Sequence, residues 1–315
     1  MAIKIGYSNE KGGVTKTAST ATHGTSLSLV GSRVLVFDVD PQAHTCDVLG
    51  RNRRFNKGKT IKEVLLGEVS LKEAIIPTYI HPETMQFFDP ARTSEHVQPR
   101  RGPDLVPITL AANSLDFDLK SRVTYWNEQL REAIAPLEDD YDYMVFDCAP
   151  GLLAGTMNVY TAADYMVFPL IPEKHAIEGL QGAIGTLQET KKRANPNLKV
   201  AGTYFNKVQN WRVHKNMMAN VQELIEGSKL AIPLCETYIE QSKDFGESLE
   251  QGSLIVLDNP YSKCAKSYWY VLHELLQHIG GPAQTKVASM VQKMRQDDQQ
   301  QAEEKIQKKQ AAKQG

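Results

Sequence analysis

One segment near the amino terminus constrains the fold of this chain more than any other. The apolar run IKIGY (3–7) is followed by the paired glycines Gly12 and Gly13, and then by Lys16 and Thr17. The run predicts a buried strand, and the residues after Thr17 predict a helix. Glycines let successive backbone N–H groups point at one anion, and the helix adds its positive amino terminus. The segment therefore predicts a phosphate-binding loop.

Four further apolar runs predict strands. They are nearly continuous, as expected for strands buried on both faces of a parallel sheet. Apolar residues at helical spacing predict helices over 123–137 and 262–279, the second with Ser262 as its N-cap and Gly280-Gly281 as its end. This alternation predicts one doubly wound α/β domain over residues 1–282, with a mostly parallel sheet and helices on both faces. The runs are RVLVFD (33–38), YMVFD (143–147), YMVFPL (165–170) and KVAGTYF (199–205).

Two segments lack this pattern. Residues 84–103 show no clear period and predict a long surface loop. Residues 283–315 are rich in Gln, Lys and Glu, which predicts a separate carboxyl-terminal helix or disordered tail. Within that segment, apolar residues from Val287 to Met294 follow helical spacing and predict a short amphipathic helix.

Composition excludes several classes of protein. The formal net charge is −1, so attraction to DNA or to a membrane would have to come from local patches. The four cysteines form no CxxC pair, which argues against a zinc site or a disulfide framework and fits a reducing cytosol. No apolar run approaches the ~18 residues that span a bilayer, and the first residues do not resemble a signal peptide.

Acidic residues follow two of the predicted strands. FDVDPQ contains Asp38 and Asp40, and YMVFDCAPG contains Asp147. Such acids can be ordinary strand-end caps, but together with the glycine loop they predict a nucleotide site with Mg²⁺. Lys16 would reach the β- and γ-phosphates, and the Thr17 hydroxyl would bind the metal.

These motifs resemble those of the ParA/MinD ATPases. KGGVTKT resembles the deviant Walker A box of that family, DVDPQ its switch I, and FDCAPG its Walker B and switch II motifs. LVPITLAA (105–112), PLIPEKHAIEGL (169–180) and GSLIVLDNPYSKCAKSY (252–268) are similar to further family segments. The resemblance covers about residues 1–279, and DPQ favours the ParA branch.

The resemblance implies ATP and Mg²⁺ as cofactors and a face-to-face homodimer formed with ATP. Lys11 would reach the phosphates of the partner chain, although it could also be a solvated lysine at the edge of the loop. Asp38 and Asp147 would hold the water shell of the metal, and Asp40 would orient the attacking water. Thr17 would bind the metal directly. The backbone that cradles the phosphates would come from Gly12, Gly13, Val14, Thr15, Lys16, Thr17 and Ala18.

Two residues outside the motifs are implied to lie near the base, and two positions depart from the family pattern. Asn206 aligns with an asparagine that contacts adenine in relatives, and Pro233 follows a peptide that packs near the base. Thr15 stands where the family commonly has glycine, and a β-branched residue limits the backbone angles there. Leu234 replaces the arginine of the Ile-Pro-Arg sequence that many DNA-binding relatives carry.

The resemblance implies a ParA-like partition or positioning ATPase in the cytoplasm, associated with the nucleoid. It would bind DNA non-specifically, and a ParB-like activator would stimulate its otherwise weak hydrolysis. Basic segments at 51–62, 191–193 and 207–215 could contact DNA, although such runs are often solvated surface. The alternatives are a MinD-like ATPase, which would need an amphipathic membrane helix, and a nucleotide-gated scaffold with little hydrolysis. No membrane partner is expected.

Overall fold

The structure is a computed structural model and describes residues 1–51, 59–90, 98–227 and 232–314, with side chains as far as residue 304. The described strands are β1 (Ile3–Tyr7), β2 (Val34–Asp38), β3 (Tyr79–Ile80), β4 (Phe87–Phe88), β5 (Arg100–Arg101), β6 (Asp104–Val106), β7 (Tyr143–Asp147), β8 (Tyr165–Leu170) and β9 (Lys199–Phe205). The main sheet is parallel, with the strand order β6-β2-β7-β1-β8-β9. A small antiparallel sheet has the order β4-β3-β5.

Helices cover both faces of the main sheet, so the predicted doubly wound fold is confirmed. Helices α1 (Lys16–Leu29) and α12 (Lys263–Ile279) pack on one face, and α7 (Ala154–Ala162) and α8 (Ala176–Arg193) pack on the other. The described helices are α1 (Lys16–Leu29), α2 (His44–Val48), α3 (Ile61–Leu65), α4 (Leu71–Ala74), α5 (Leu115–Arg122), α6 (Gln129–Ile134), α7 (Ala154–Ala162), α8 (Ala176–Arg193), α9 (Arg212–Glu226), α10 (Lys243–Glu250), α11 (Ile255–Asp258), α12 (Lys263–Ile279) and α13 (Gln284–Gln314). Short 3₁₀ helices span Leu110–Ser114 and Ala135–Leu137.

The central strands are buried on both faces, as their apolar runs predicted. Every residue of β2 and β7 is buried. Phe37 and Phe146 stack across this strand pair with ring centroids 4.6 Å apart. Burying one such side chain contributes about 1.5–3 kcal/mol to folding. The same pairing sets Asp38 opposite Asp147 at the carboxyl ends of the two strands.

Helix α1 forms despite a sequence that is rich in Ser, Thr and Gly. Eleven of its residues are buried, from Lys16 to Leu27. A Cβ at Gly24 would lie 2.7 Å from the Val36 side chain, so this glycine lets the helix approach the sheet closely. Packing against the sheet therefore holds the helix, since its intrinsic propensity is low.

The predicted helix over 123–137 is wrong in its first part. The α-helix begins only at Gln129, and a 3₁₀ turn follows it. Asn158 of α7 competes for the backbone there: its side chain donates to Trp126 O at 2.7 Å and accepts from Leu130 N at 3.0 Å. A side chain that takes these backbone groups replaces the helical ladder. The predicted helix over 262–279 is confirmed, with the Ser262 hydroxyl accepting from Ala265 N at its start.

The loop predicted over 84–103 is wrong at both of its ends. Strands β4 and β5 lie within it and pair with β3, and residues 91–97 lie outside the described residues. Strand β6 was also missed, and it forms an edge of the main sheet beside β2. Each of these strands has only two or three residues, which is too short to show an alternating pattern.

Helix α13 extends the chain beyond the main α/β body. Val287 and Val291 are buried in the common core, and Met294 packs against it. Lys266 of α12 forms an ion pair with Asp298. The first turns of this helix are therefore fixed to α12, and the predicted domain boundary after residue 282 stays a prediction.

Candidate active site

The glycine loop connects β1 to α1 at the carboxyl edge of the main sheet. Gly13 has φ +78°, and the helix begins at Lys16. Thr15, the residue before the helix, has φ 68° and ψ 21°, which is the left-handed region. A β-branched residue in that region is strained, because its Cβ crowds the backbone. The loop thus adopts a shape that costs conformational energy at Thr15.

The side chain of Lys16 is turned into its own loop. Its Nζ donates to Lys11 O at 2.8 Å and to Asn9 O at 3.2 Å, and the residue is only 4% exposed. Burial lowers the pKa of Lys16, while the nearby Asp147 raises it. The ammonium therefore lies inside the ring of backbone groups that the sequence predicted as a phosphate cradle.

We predict that Thr15→Gly stabilises the chain, by about 0.5–1 kcal/mol. Relief of left-handed strain gains about 1–2 kcal/mol, and the greater freedom of glycine in the unfolded chain offsets part of this gain. The free energy of unfolding, measured in urea, checks the value.

Gly13→Ala is the matched control, with the opposite sign. Its φ is also positive, and an added Cβ would meet no atom within 4 Å, so the change is purely conformational. We expect it to cost about 1 kcal/mol. A Thr15→Gly chain less stable than the parent would contradict the assignment of strain to Thr15.

Two buried carboxylates lie behind the loop at the ends of β2 and β7. Asp38 accepts from Cys46 N at 3.0 Å, and Asp147 accepts from the Thr45 hydroxyl at 2.7 Å. Burial, followed by the charge of Asp147, raises the pKa of Asp38 well above its usual range. Burial also raises the pKa of Asp147 to about 6, against the lowering effects of the Thr17 and Thr45 hydroxyls. Two acids in this position favour a cation between them and the loop.

The donor set fits Mg²⁺. Within the described residues, the buried Oδ1 of Asp38 has no hydrogen-bond partner. The Thr17 hydroxyl lies beside Asp147, at the start of α1. Carboxylate and hydroxyl oxygens are the hard ligands that Mg²⁺ takes together with water and phosphate oxygens. Thr17, Asp38 and Asp147 would therefore hold the ion directly or through its water.

A cavity of about 580 Å³ opens in front of the loop. The loop residues from Gly12 to Ala18, apart from Val14, line one side of it, and Asp40 and Gln42 line another. Asp40 is half-buried, and its Oδ1 accepts from Gln42 N at 3.0 Å. Asp38 does not reach this cavity, so the two acids of DVDPQ face different ways. Val14 is buried and does not line this cavity.

Lys11, the other lysine of the loop, does not line this cavity. Lys11 lines a smaller cavity of about 260 Å³, together with Glu173 and His175 from the segment after β8. Its backbone N–H donates to Asn9 Oδ1 at 3.0 Å. The two lysines of the motif thus border different cavities beside one loop.

The two residues implied to lie near the base occupy other surroundings. Asn206 is 1% exposed, and its amide donates to the Tyr268 hydroxyl at 3.1 Å. The Pro233 carbonyl accepts from Thr203 N at 2.8 Å. Neither side chain lines the two cavities beside the loop. Their contact with a base stays a prediction.

Several residues that line the larger cavity were missed from the sequence. Phe245 and Leu249 of α10 form an apolar wall opposite the loop, and Lys207 borders both cavities. Lys207 follows β9 and could have been suspected from a cation at a strand end. The α10 residues gave no signal, because nothing in the sequence indicates that this helix returns to the loop.

The comparisons with known proteins agree with this geometry. Residues 2–200 match a family model described as an AAA domain. The chain is 26% identical over 264 residues to the sporulation initiation inhibitor protein Soj of Bacillus subtilis, covering 84% of this chain and 94% of Soj. It is 29% identical over 273 residues to the chromosome partitioning protein ParA of Myxococcus xanthus, covering 87% of each.

A solved structure shows what the same fold binds elsewhere. Cobyrinic acid a,c-diamide synthase from Mycobacterium smegmatis, with bound ATP analogue and magnesium, matches with a TM-score of 0.70. It is 26% identical, with 88% of this chain and 95% of that chain covered. Its bound groups agree with the ATP and Mg²⁺ predicted from the sequence.

The parallel sheet, the glycine loop and the strand-end acids define a P-loop ATPase. The chain belongs to the Soj- and ParA-like family of partition ATPases, within the wider AAA-domain family, as the motifs predicted. None of the helices in the described ranges combines the length and apolar character that crossing a bilayer requires.

Proposed function

We propose that this chain is a positioning ATPase of the ParA type. It binds ATP with Mg²⁺, forms a face-to-face dimer around the nucleotide, and in that state binds DNA non-specifically. Hydrolysis, weak alone and stimulated by a ParB-like partner, returns it to the monomer. This cycle places a plasmid, a chromosome or another cargo on the nucleoid, in the cytoplasm. The different surroundings of the two loop lysines support the proposal most directly.

The residues of one chain account for half of the reaction. Backbone N–H groups of the loop and the Lys16 ammonium hold the phosphates, and α1 adds the positive end of its dipole. Asp40 borders the cavity beside the loop, where it orients and polarises the attacking water. When bound, Mg²⁺ neutralises the charge that develops on the phosphate oxygens.

The other half requires a second copy of the chain. Lys16 Nζ is held by the carbonyls of its own loop, whereas Lys11 lines the smaller, neighbouring cavity. From there Lys11 would reach the nucleotide of a facing chain. An added cation there stabilises the transferring phosphoryl group, because that group carries several negative oxygens.

We expect Lys11→Ala to bind ATP within about threefold of the parent but to remain monomeric with it. Hydrolysis should fall by about 10³-fold, which is the lower range for a cation supplied in trans. Light scattering after gel filtration measures the dimer. Gel shift of a duplex of arbitrary sequence shows whether ATP-dependent DNA binding is lost with it.

Lys174→Ala is the matched control. Lys174 is an exposed residue that stands between Glu173 and His175 in the sequence. It carries the same charge as Lys11 but lines neither cavity beside the loop. It should dimerise and hydrolyse ATP like the parent. A Lys11→Ala chain that did the same would reduce the site to an ordinary P-loop and remove the proposed dimer switch.

Basic residues for DNA binding remain on the described surface, although Leu234 stands where many relatives carry arginine. Arg212 and Lys215 lie on α9, near the same edge of the sheet as the nucleotide site. Arg193 at the end of α8 forms an ion pair with Glu189, which reduces its availability. Residues 52–58 of the first basic segment lie outside the described residues. The α9 cations are therefore our proposed phosphate contacts.

The MinD-like alternative is disfavoured by the position of α13. Its apolar residues Val287 and Val291 are buried against the main body, and Met294 packs there too. An amphipathic helix binds a membrane through an exposed apolar face. In this structure most of that face is covered by the protein itself, and Met290 alone of its four apolar residues is exposed, at 37%.

A further inference from the structure

Lys207 occupies a position between the two cavities that border the phosphate loop. It lies two residues beyond the end of β9, and it lines both the 580 Å³ cavity and the 260 Å³ cavity. Its Nζ donates to Gly13 O at 3.3 Å. An ammonium group is therefore anchored on the outer rim of the loop, opposite the buried Lys16.

The backbone of Lys207 is held in an unusual conformation. Its φ is +53°, in the left-handed region that a lysine rarely adopts. The buried Asn206 maintains this angle: its Oδ1 accepts from Lys207 N at 2.7 Å, and its amide donates to the Tyr268 hydroxyl. Strain that the surrounding structure over-determines in this way is concentrated at functional sites.

The charges around the larger cavity indicate that a bound phosphate would need a further cation there. Its walls include the carboxylates Asp40 and Glu250, and Lys16 is engaged by the carbonyls of Asn9 and Lys11. Lys207 lines the same cavity, and within the described residues its ammonium is held by one long, exposed hydrogen bond to Gly13 O. Exchanging a neutral carbonyl for a phosphate oxygen would give a stronger, charge-assisted bond.

We propose that Lys207 is a nucleotide-binding residue whose ammonium leaves Gly13 and contacts the phosphates of the bound nucleotide. This inference rests on the proposed ATP site and adds a residue to it.

Three substitutions test the role of the charge. Lys207→Ala removes both the charge and the hydrogen bond, Lys207→Gln keeps an N–H donor for Gly13 without charge, and Lys207→Arg keeps both. ATP affinity is measured by calorimetry with Mg²⁺ at low and high KCl. We expect the first two to bind ATP at least about tenfold more weakly, and Lys207→Arg within about threefold of the parent.

The salt dependence of ATP affinity distinguishes a phosphate contact of Lys207 from a purely structural role in holding the loop. A partly exposed charge is screened by salt. The difference in ATP affinity between Lys207→Gln and the parent should therefore become smaller at high KCl. Lys174→Ala, an exposed lysine from a neighbouring segment, should bind ATP like the parent under both conditions. Thermal unfolding without nucleotide checks that all the variants are folded.

Two results would overturn the inference. One is Lys207→Gln binding ATP as tightly as the parent, and the other is an affinity gap that salt leaves unchanged, because each would reduce Lys207 to a tether for the loop. Failure of the proposed function looks different, because the parent would then bind no ATP. If the parent and Lys207→Gln both bind ATP while Lys16→Ala does not, the inference about Lys207 is rejected and the proposed ATP site is retained.

Discussion

Lys16→Ala is expected to weaken ATP binding by about 100-fold or more. The ammonium of Lys16 is buried within the loop, where the low local dielectric strengthens its attraction to phosphate. A charge-assisted hydrogen bond contributes about 1.5–3 kcal/mol, and two phosphate groups can share this one donor group. The Asn9 and Lys11 carbonyls would also lose their donor, so the empty loop would become less ordered.

Calorimetry with ATP and Mg²⁺ measures this loss directly. Lys199→Ala is a suitable control, since Lys199 is an exposed lysine at the start of β9, at the opposite edge of the sheet. It removes the same charge from the chain and should leave the affinity unchanged. If Lys16→Ala bound ATP like the parent while folded, the loop would not be the phosphate site.

Asp40→Ala is expected to keep ATP but to lose hydrolysis, by about 10²–10⁴-fold. That range is typical of a side chain that positions or deprotonates the reacting water. Asp40 lines the cavity with the loop, but the predicted metal ligands Thr17, Asp38 and Asp147 would remain in place. The variant should therefore accumulate as the ATP-bound dimer, visible by gel filtration with light scattering.

Glu250→Ala provides a matched comparison for this experiment. Glu250 of α10 is another carboxylate of the same cavity, so its loss changes the local charge equally. Near-normal hydrolysis by Glu250→Ala, beside its loss in Asp40→Ala, would assign the effect to position and not to charge. Rapid hydrolysis by Asp40→Ala would refute the role given to Asp40.

The sequence predicted the long buried strands well and the competing polar contacts poorly. Runs such as YMVFD are apolar on both faces, and this pattern has few structural solutions other than a covered parallel sheet. The segment 123–137 has equally clear helical spacing, but the Asn158 side chain takes its backbone groups. That contact comes from a distant part of the chain, so no pattern within the segment itself predicts it.

The same difference between local patterns and distant contacts applies to the candidate site. Loop residues and strand-end acids are predictable, because the carboxyl ends of parallel strands meet at one edge. Phe245 and Leu249 were not, since α10 reaches the loop only through the tertiary path of the chain. Lys207 was visible as a charge in a basic run, but its contact with Gly13 depends on a left-handed backbone that Asn206 maintains.

The composition of the larger cavity has a consequence for how this protein is made. Thr17 in α1 and Phe245 in α10 line the same space, although they come from opposite ends of the main domain. On the ribosome, the phosphate loop emerges long before α10, so the nascent chain first exposes a cradle that lacks its apolar wall. We therefore expect the complete cavity to form only after α10 has folded back, so that a nucleotide bound there would stabilise the folded chain and not the nascent one.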